Sequence, residues 1–474
     1  MSFTNTFRPT TQIHIGERAD TGALASLETA MVIIGAKIES GTATLGELVQ
    51  VFSAAQADVL FGLGSELANQ LRWVYRGLQD AQTGGVRLYA LPLAEPTGAI
   101  ARVVAVNFGN TAAAEAGVVK LRIAGERISA NVAAGDSPFL VSQALTEAVN
   151  ARRRELLFTA EFSPQSCTLT AINKGSNANQ IAVEVVSAPP GMSVEVEQTT
   201  AGVGEASIET ALFALEAEDI QVVSISGHSI AAVTAAKAHV NKTWTALSKR
   251  WRWVFLGSRS LPESNQLSTI AEHRGIVVVC AKDAPNTPAQ LAAYMAARVA
   301  AEPQPNRPFD APMPLDSLYL APKPLLDSEI ETLGPRGIWL LDINGRRSGM
   351  ISVRGVTTQT LVDGVRDDSQ LDIGVSRSQV EFSRQLDAAI ARNFSRVLKT
   401  DENKARVRDV CISVALGLET RNILRDVLAL RDLFRVEDTS DDPSIPVDTV
   451  RIRVPASVIP ALRHKHVDIS LIVR

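Results

Sequence analysis

The stretch "TAMVIIGAKI", residues 29–38, decides how the rest of the chain is read. Its apolar residues run on without the polar alternation of a half-exposed strand. That is the mark of a strand buried on both faces, as in a parallel sheet covered by helices. Two helical segments follow, "TLGELVQVFSAAQADVLF" and "SELANQLRWVYRGLQDA", and then a strand, "VRLYAL" (86–91), after Gly84 and Gly85. The same alternation resumes at 206. Helix "ASIETALFALEA" leads to strand "IQVVSIS", helix "HSIAAVTAAKAHVNKTWTALS", strand "WVFLGS", helix "SNQLSTIAEHR", strand "IVVVCAK" and helix "TPAQLAAYMAARVAAE". Short apolar strands alternating with amphipathic helices predict one α/β core, split in sequence over 21–97 and 206–336.

Residues 98–205 have another character. "VVKLRIAG" and "ERISANV" read as a hairpin, and Pro138 opens a helix in "SPFLVSQALTEAVNARRREL". "FTAEFS", "CTLTAIN", "IAVEVVS" and "MSVEVEQTTAG" read as strands separated by Pro, Gly and Asn turns. The segment is a mostly β insertion. Beyond the core, "EPQPNRPFDAPMPLD" (302–316) reads as a Pro-rich surface linker. "GIWLLDI" and "GMISVRGV" then flank Asn344–Gly345, a strong hairpin signal. Helices are expected over about 376–398 and 402–434, and a strand in "DTVRIRVPAS". This C-terminal α+β region is predicted to span 337–462.

Both ends of the sequence carry strand-like arms. In "TQIHIG", Ile13 and Ile15 alternate with Gln12 and His14, within an extended segment 1–20. In "HVDISLIVR" (466–474), within the C-terminal arm 463–474, Val467, Ile469, Leu471 and Val473 alternate with Asp468, Ser470 and Arg474, and Ile472 alone breaks the polar side. An apolar strand after the basic hinge "RHKH" leaves open what it pairs with: as an ordinary last strand it would complete this chain's own sheet.

Composition excludes several classes. A content of 46% hydrophobic and 21% charged residues is that of an ordered globular protein rather than a disordered one. The net charge of −4 gives no general argument for nucleic-acid binding. Cys167, Cys280 and Cys411 are too few and too scattered for a disulfide framework or a metal cluster, which fits a reducing compartment during folding. The start lacks a signal-peptide pattern, and no apolar run reaches membrane-spanning length.

Four motifs invite a chemical reading, and each has a structural competitor. "VVSISGHSIAA" places Gly227-His228-Ser229 between a strand and a helix, the shape of a serine-hydrolase elbow. No oxyanion loop precedes it and no acid-then-histidine order follows, so Ser229 is expected to cap the helix. "FGLGSELANQ" lacks the third glycine and the preceding strand of a dinucleotide site, leaving Ser65 as a helix cap. "SKRWRWVFLG" mixes Lys249, Arg250 and Arg252 with Trp251 and Trp253; base stacking is possible chemistry, but packing fits the charge balance better. "RHKH" has too few ligands for a metal. No catalytic set, cofactor or metal is expected.

The order of these segments resembles the contractile phage tail sheath proteins of Mu-like myophages. The resemblance is carried by "FGLGSELANQLRWVYR", by "LRIAGERISANVAAGDSPFLVSQALTEAVNA" with "LTAINKGSNANQIAVEV", and by "PFDAPMPLDSLYLAPKPLLDSEIETLGPRGIWLLDINGRRSGMISVRGVTTQT". It covers nearly the whole chain, though its motifs are structural rather than catalytic. It implies a split α/β sheath core, an outward-facing inserted β domain and a C-terminal α+β assembly domain with extended arms. It also implies hexameric rings stacked as a helical sleeve around a tail tube protein, with baseplate and tail terminator proteins as further partners. Such a sleeve is a virion component assembled in host cytoplasm, and its metastable extended form contracts to drive the tube through the host envelope.

Carried onto this sequence, the arm strands are Gln12–Ile15 and Val467–Val473. The acceptor edge is expected among Ile351, Val353 and Val356 or Val450, Ile452 and Val454. Arg384, Arg392, Arg396 and Arg406, on the helices from 376 to 434, are candidates to face the tube. A serine hydrolase built on Ser229, and a monomeric module binding through the insertion, are the competing readings.

Overall fold

The computed structural model describes residues 29–438 and 450–459, apart from 83, 84, 246, 247, 312, 347, 363, 395–397 and 456. Among these, one compact unit runs to Ser376 and a second begins at Arg377. The first opens with β1 (Thr29–Ala36), β2 (Val49–Gln50), α1 (Ala54–Phe61), α2 (Glu66–Ala81) and β3 (Val86–Leu93). The insertion carries β4 (Val103–Phe108), β5 (Gly117–Ile123), β6 (Glu126–Val132), α3 (Pro138–Ala151), α4 (Arg153–Leu156), β7 (Phe158–Ser163), β8 (Ser166–Ala171), β9 (Val183–Ser187) and β10 (Val194–Thr200). The core resumes with α5 (Glu209–Ala214), β11 (Val222–Ile225), α6 (Ile230–Thr243), β12 (Trp253–Ser258), α7 (Leu261–Ala271), β13 (Ile276–Ala281) and α8 (Pro288–Ala301). It ends with β14 (Met313–Leu315), α9 (Asp327–Leu333), β15 (Ile338–Ile343), β16 (Met350–Ser352) and the short pair β17 (Leu361–Val362) and β18 (Val365–Arg366).

The apolar runs form the centre of a sheet of order β14-β16-β15-β13-β12-β11-β1-β3-β2. The six strands from β15 to β3 are parallel. Antiparallel β2 closes one edge, and β16 and β14 close the other. Helices cover both faces, as a parallel sheet requires. Ala30, Val32 and Ile34 of β1, with Val254 and Leu256 of β12, pack against α5, α6 and α7. Residues of the opposite parity meet α2 and α8: a Cβ on Gly35 would stand 2.6 Å from Gln70 Oε1, and one on Gly257 would stand 1.9 Å from the Pro288 carbonyl oxygen.

Helix α8 departs from the amphipathic expectation, since every residue but Arg298 is buried. It lies between the sheet and α2, where Trp73 meets Tyr294 edge to face with ring centroids 6.5 Å apart. Gln290 donates to Asn69 Oδ1 at 2.8 Å, and the Tyr294 hydroxyl donates to Asp80 Oδ2 at 2.6 Å. A helix buried all round is what such a sandwiched position demands.

The insertion builds two antiparallel sheets, β10-β4-β8-β7 and β6-β5-β9. Val141, Leu145 and Val149 of α3 enter their common core. Strand β4 was not among the strands read from the sequence.

Three expectations are corrected and a fourth, the hairpin, is refined. The segment 302–316 is not a surface linker: Phe309 is buried and tilts onto Trp339 at 5.5 Å, and Met313–Leu315 pairs with β16. The helix expected from Thr44 onward begins only at Ala54, because Val49 and Gln50 pair with β3 and Ser53 caps α1. The hairpin at Asn344 is real but closes a loop over 344–349, with the Asn344 amide donating to the Gly349 carbonyl at 2.9 Å. Finally, β15 and β16 belong to the core sheet, so the boundary expected at 336/337 falls at 376/377.

The second unit takes its residues from Arg377 onward in α10 (Ile373–Phe394), with α11 (Asp401–Thr420), β19 (Leu424–Arg425), β20 (Arg435–Asp438), β21 (Val450–Arg453) and β22 (Ser457–Val458). The helix expected over 402–434 stops at Thr420, because Asn422 takes a positive φ of 57° and β19 follows.

Substituting Gly257→Ala should drive a methyl into the Pro288 carbonyl and destabilise the chain by about 2–4 kcal/mol in urea unfolding. Gly345→Ala, where nothing lies within 4 Å of the added carbon, should stay within about 0.5 kcal/mol.

Candidate functional site

The second unit is built around a small apolar core. Val407, Cys411, Ile412, Ala415 and Leu418 form one face of α11, and they pack with Phe382, Ile423, Leu424, Val427 and Phe434. Thr400 starts α11 by accepting from the Asn403 amide at 3.2 Å, and Asp401 and Glu402 suit the positive helix end. Arg421 pairs with Glu381 at 3.3 Å.

Two antiparallel ribbons complete the unit. β20 pairs with β21, setting Val436 opposite Ile452, and β19 pairs with β22, setting Leu424 opposite Val458. Val436, Ile452, Val454 and Val458 pack toward the core, while Arg453 on the other side of its strand pairs with Glu437 at 3.2 Å. Among the described residues neither ribbon has a third strand. A two-stranded ribbon is marginal alone and leaves rows of N–H and C=O groups at its edges. Leu398, Leu428 and Leu433 are also exposed on this unit, at 79%, 65% and 52%.

The predicted acceptor residues fall into two places. Ile351 lies in β16, paired with Pro314 on one side and Asp342 on the other, so it offers no open edge. Val353 donates to the Leu340 carbonyl at 3.0 Å and Val356 bridges to Asp372. That half of the expectation is corrected: these three residues belong to the first unit and their strand positions are already paired. Val450, Ile452 and Val454 lie on or beside β21 in the second unit. The arm segments, Gln12, Ile13, His14, Ile15 and 467–473, lie outside the described residues, as does Arg396. Arg384 is half-buried on α10, Arg392 is exposed in its last turn, and Arg406 is exposed on α11, 3.8 Å from Glu402.

The chemical motifs resolve into packing. Ser229 Oγ accepts from the Ala232 amide at 3.1 Å as the cap of α6. His228 Nε2 sits 3.2 Å from Gln180 Nε2 and 3.9 Å from Glu263 Oε1. His239, on the same helix, is buried 3.3 Å from Arg252; burial and that guanidinium hold its pKa down at about 3. Arg252 is itself fully buried and donates to the Leu215 and Glu218 carbonyls at 2.8 and 2.9 Å. Trp253 is buried beside it and donates to Ser376 Oγ at 3.1 Å, so Arg252 and Trp253 both serve packing. Gly62 and Gly64 have φ of 92° and 80°, and a Cβ on Gly64 would meet Ile172 and the Arg153 carbonyl. Gly64 thus admits the insertion at the start of α2, while a Cβ on Gly62 would meet Ile38 and Ser40 of the core. Among the described residues no group of three or more His, Cys, Asp or Glu side chains could hold a metal, and no helix is long and apolar enough to cross a membrane.

No family model matches the chain. A Mu-like prophage FluMu tail sheath protein of Haemophilus influenzae is 27% identical over 264 residues, covering 54% of this chain and 52% of that protein. The match thus spans about half the length of that relative. The sheath tail protein of Desulfitobacterium hafniense superposes with a TM-score of 0.54 over 98% of each chain, at 13% identity. This chain has a tail sheath fold. The sheath tail protein of Listeria innocua agrees at a TM-score of 0.51, over 92% of this chain and 93% of its own, at 12% identity. A chain of the anti-feeding prophage baseplate agrees at 0.50, over 95% and 94%, also at 12% identity. The sheath resemblance read from the sequence therefore holds in both sequence and fold.

Ser229→Ala should cost about 1 kcal/mol of stability through loss of the cap, measured by thermal melting. The unaltered protein should not be labelled by a fluorophosphonate probe; labelling lost in Ser229→Ala would restore the hydrolase reading.

Proposed function

We propose that this chain is the structural subunit of a contractile tail sheath and not an enzyme. In this reading copies of the chain form hexameric rings, stacked as a helical sleeve around a tail tube. They meet a baseplate at one end and a terminator at the other. The sleeve is assembled in host cytoplasm, becomes part of the virion, and contracts to push the tube through the host envelope. Its energy is stored in the extended assembly, and no nucleotide or cofactor is consumed.

The observation that carries this is a sheath fold whose second unit holds two ribbons of only two strands each among the described residues. Strand addition by Gln12–Ile15 and Val467–Val473 of neighbouring copies would complete such ribbons, with β21 and its residues Val450, Ile452 and Val454 as the acceptor. Each added backbone hydrogen bond contributes about 1 kcal/mol net. One arm is therefore a modest tie, and arms from many copies make a cooperative mesh. The stretch from Arg463 to Arg474 reaches up to about 36 Å when extended, enough to keep subunits joined while they slide. Arg384, Arg392, Arg396 and Arg406 are the proposed contacts to the tube, and the insertion is proposed to face outward.

Deleting residues 463–474 should leave a protomer with an unchanged melting temperature that no longer polymerises, checked by circular dichroism and negative-stain microscopy. Normal tubes from that variant would sink the arm model, and single particles from the intact chain with its tube partner would sink the sheath reading.

A further inference from the structure

The core sheet reverses its order between β1 and β11: β1 leads through α2 to β3 on one side, and β11 leads through α6 to β12 on the other. The crevice at the carboxyl ends of such strands is where open α/β sheets bind ligands. Here it is roofed by the insertion and leaves a cavity of about 40 Å³. Its lining includes Glu66 and Gln70 of α2, Asn177 of the insertion, and Ser226 and His228 after β11.

The polar groups in this crevice are unbalanced. Glu66 and Gln70 are four apart on α2 and share a face. The Asn177 side chain donates to Glu66 Oε1 at 2.9 Å, which leaves Asn177 Oδ1 with no donor. Gln70 is 1% exposed and neither atom of its amide has a partner. Glu205 Oε1 is buried without a donor, 3.0 Å from where a Cβ on Gly227 would stand, between the lining residues Ser226 and His228. Positive charge near these carboxylates is sparse. Lys174 is exposed at the rim, and His228 faces Gln180 and Glu263. Burial pushes the Glu66 pKa up to about 7, against the hydrogen bonds from Asn177 and the Ala36 amide, and Glu205 raises it further.

We propose that this crevice binds one hard cation such as calcium, held by the Glu66 and Glu205 carboxylates and the Gln70 and Asn177 amide oxygens, so that the ion ties the insertion to the core. Buried carboxylates require neutralising by a proton or a cation. Acceptor oxygens without donors and a lining free of thiols select calcium-like ions over zinc or copper. The cavity has room for an ion and few waters. Magnesium, which gives up its water reluctantly, should bind less well. The inference rests on the core and insertion alone and stands apart from the assembly reading.

The test is calorimetry and thermal melting of the full chain at pH 8 with CaCl2, beside MgCl2. Calcium should bind at one site per chain and raise the melting temperature by several degrees. Glu66→Gln should weaken calcium at least tenfold, and without metal it should melt above the unaltered protein, since it removes a buried charge. Asn177→Asp, which adds a carboxylate from the insertion side, should tighten calcium about tenfold. The proposal is overturned if calcium gives neither heat nor shift, or if both variants bind it like the unaltered chain. It is equally overturned if the ion-free protein simply gains stability as pH falls from 8 through 7 with calcium inert. A proton would then fill the role.

Discussion

The structure depends on how closely α8 can approach the sheet. Six parallel strands buried on both faces need a cover that brings apolar surface without bulk. The run "PAQLAAYMAARVAA" supplies it with alanines, and Gly257 lets the first turn of α8 rest its Pro288 carbonyl directly on β12. On its far side Gly77 repeats the device, since a Cβ there would stand 2.8 Å from the Tyr294 carbonyl oxygen. Three layers are thereby held at backbone contact. Two pairs of polar groups enter this dry space together, Gln290 with Asn69 and Tyr294 with Asp80. Because α2 is fixed by α8, the start of α2 is fixed too, and with it the ledge on which the insertion sits.

Much of this was legible from the residues. Strands β1, β3, β11, β12 and β13 are apolar runs whose burial on both faces is written in their composition, and β15 with β16 follows from the hairpin signal. What escaped the sequence was pairing that exists only through tertiary contact. β2 and β14 are two and three residues long and antiparallel. Neither has a periodicity to read, and β14 contains a proline that suits only an edge. Because "MPL" gave no strand signal, 302–316 read as a linker. That error pulled the domain boundary forty residues early. The second helix of the C-terminal unit was overextended for a related reason. "LETRNILRDVLALRDLF" keeps a helical apolar spacing, and only the left-handed Asn422 and the short β19 pairing stop it.

The decoy motifs show how one residue pattern serves two ends. A glycine-rich turn before a helix and a serine at a strand-to-helix corner are the parts from which phosphate sites and nucleophile elbows are made. In this chain Gly64 makes room for Ile172 and the Arg153 carbonyl, and Ser229 spends its hydroxyl on a helix cap. The decisive difference is occupancy of the switch-point crevice. Asn173 accepts from the Glu66 amide at 2.7 Å, Asn177 donates to the Glu66 carboxylate, and Arg259 donates to the Gln180 carbonyl at 2.7 Å. The chain places its own insertion where an α/β enzyme would admit a substrate, and no sequence motif announces that.

The two units also differ in how complete they are. The core sheet ends in antiparallel strands at both edges, and the six parallel strands between them are fully paired. The second unit instead sets Phe382, Val407, Ile412 and Phe434 against ribbons that, among the described residues, stay two strands wide. Its helices alone bury little, and such ribbons gain most by acquiring a third strand. A fold that is finished in one unit and unfinished in the other suits a building block. The finished unit pairs its strands within itself, while the ribbons of the other keep open edges to which a further strand can add. In the proposed role, the backbone hydrogen bonds that those open edges can make are the ones that join copies of the chain.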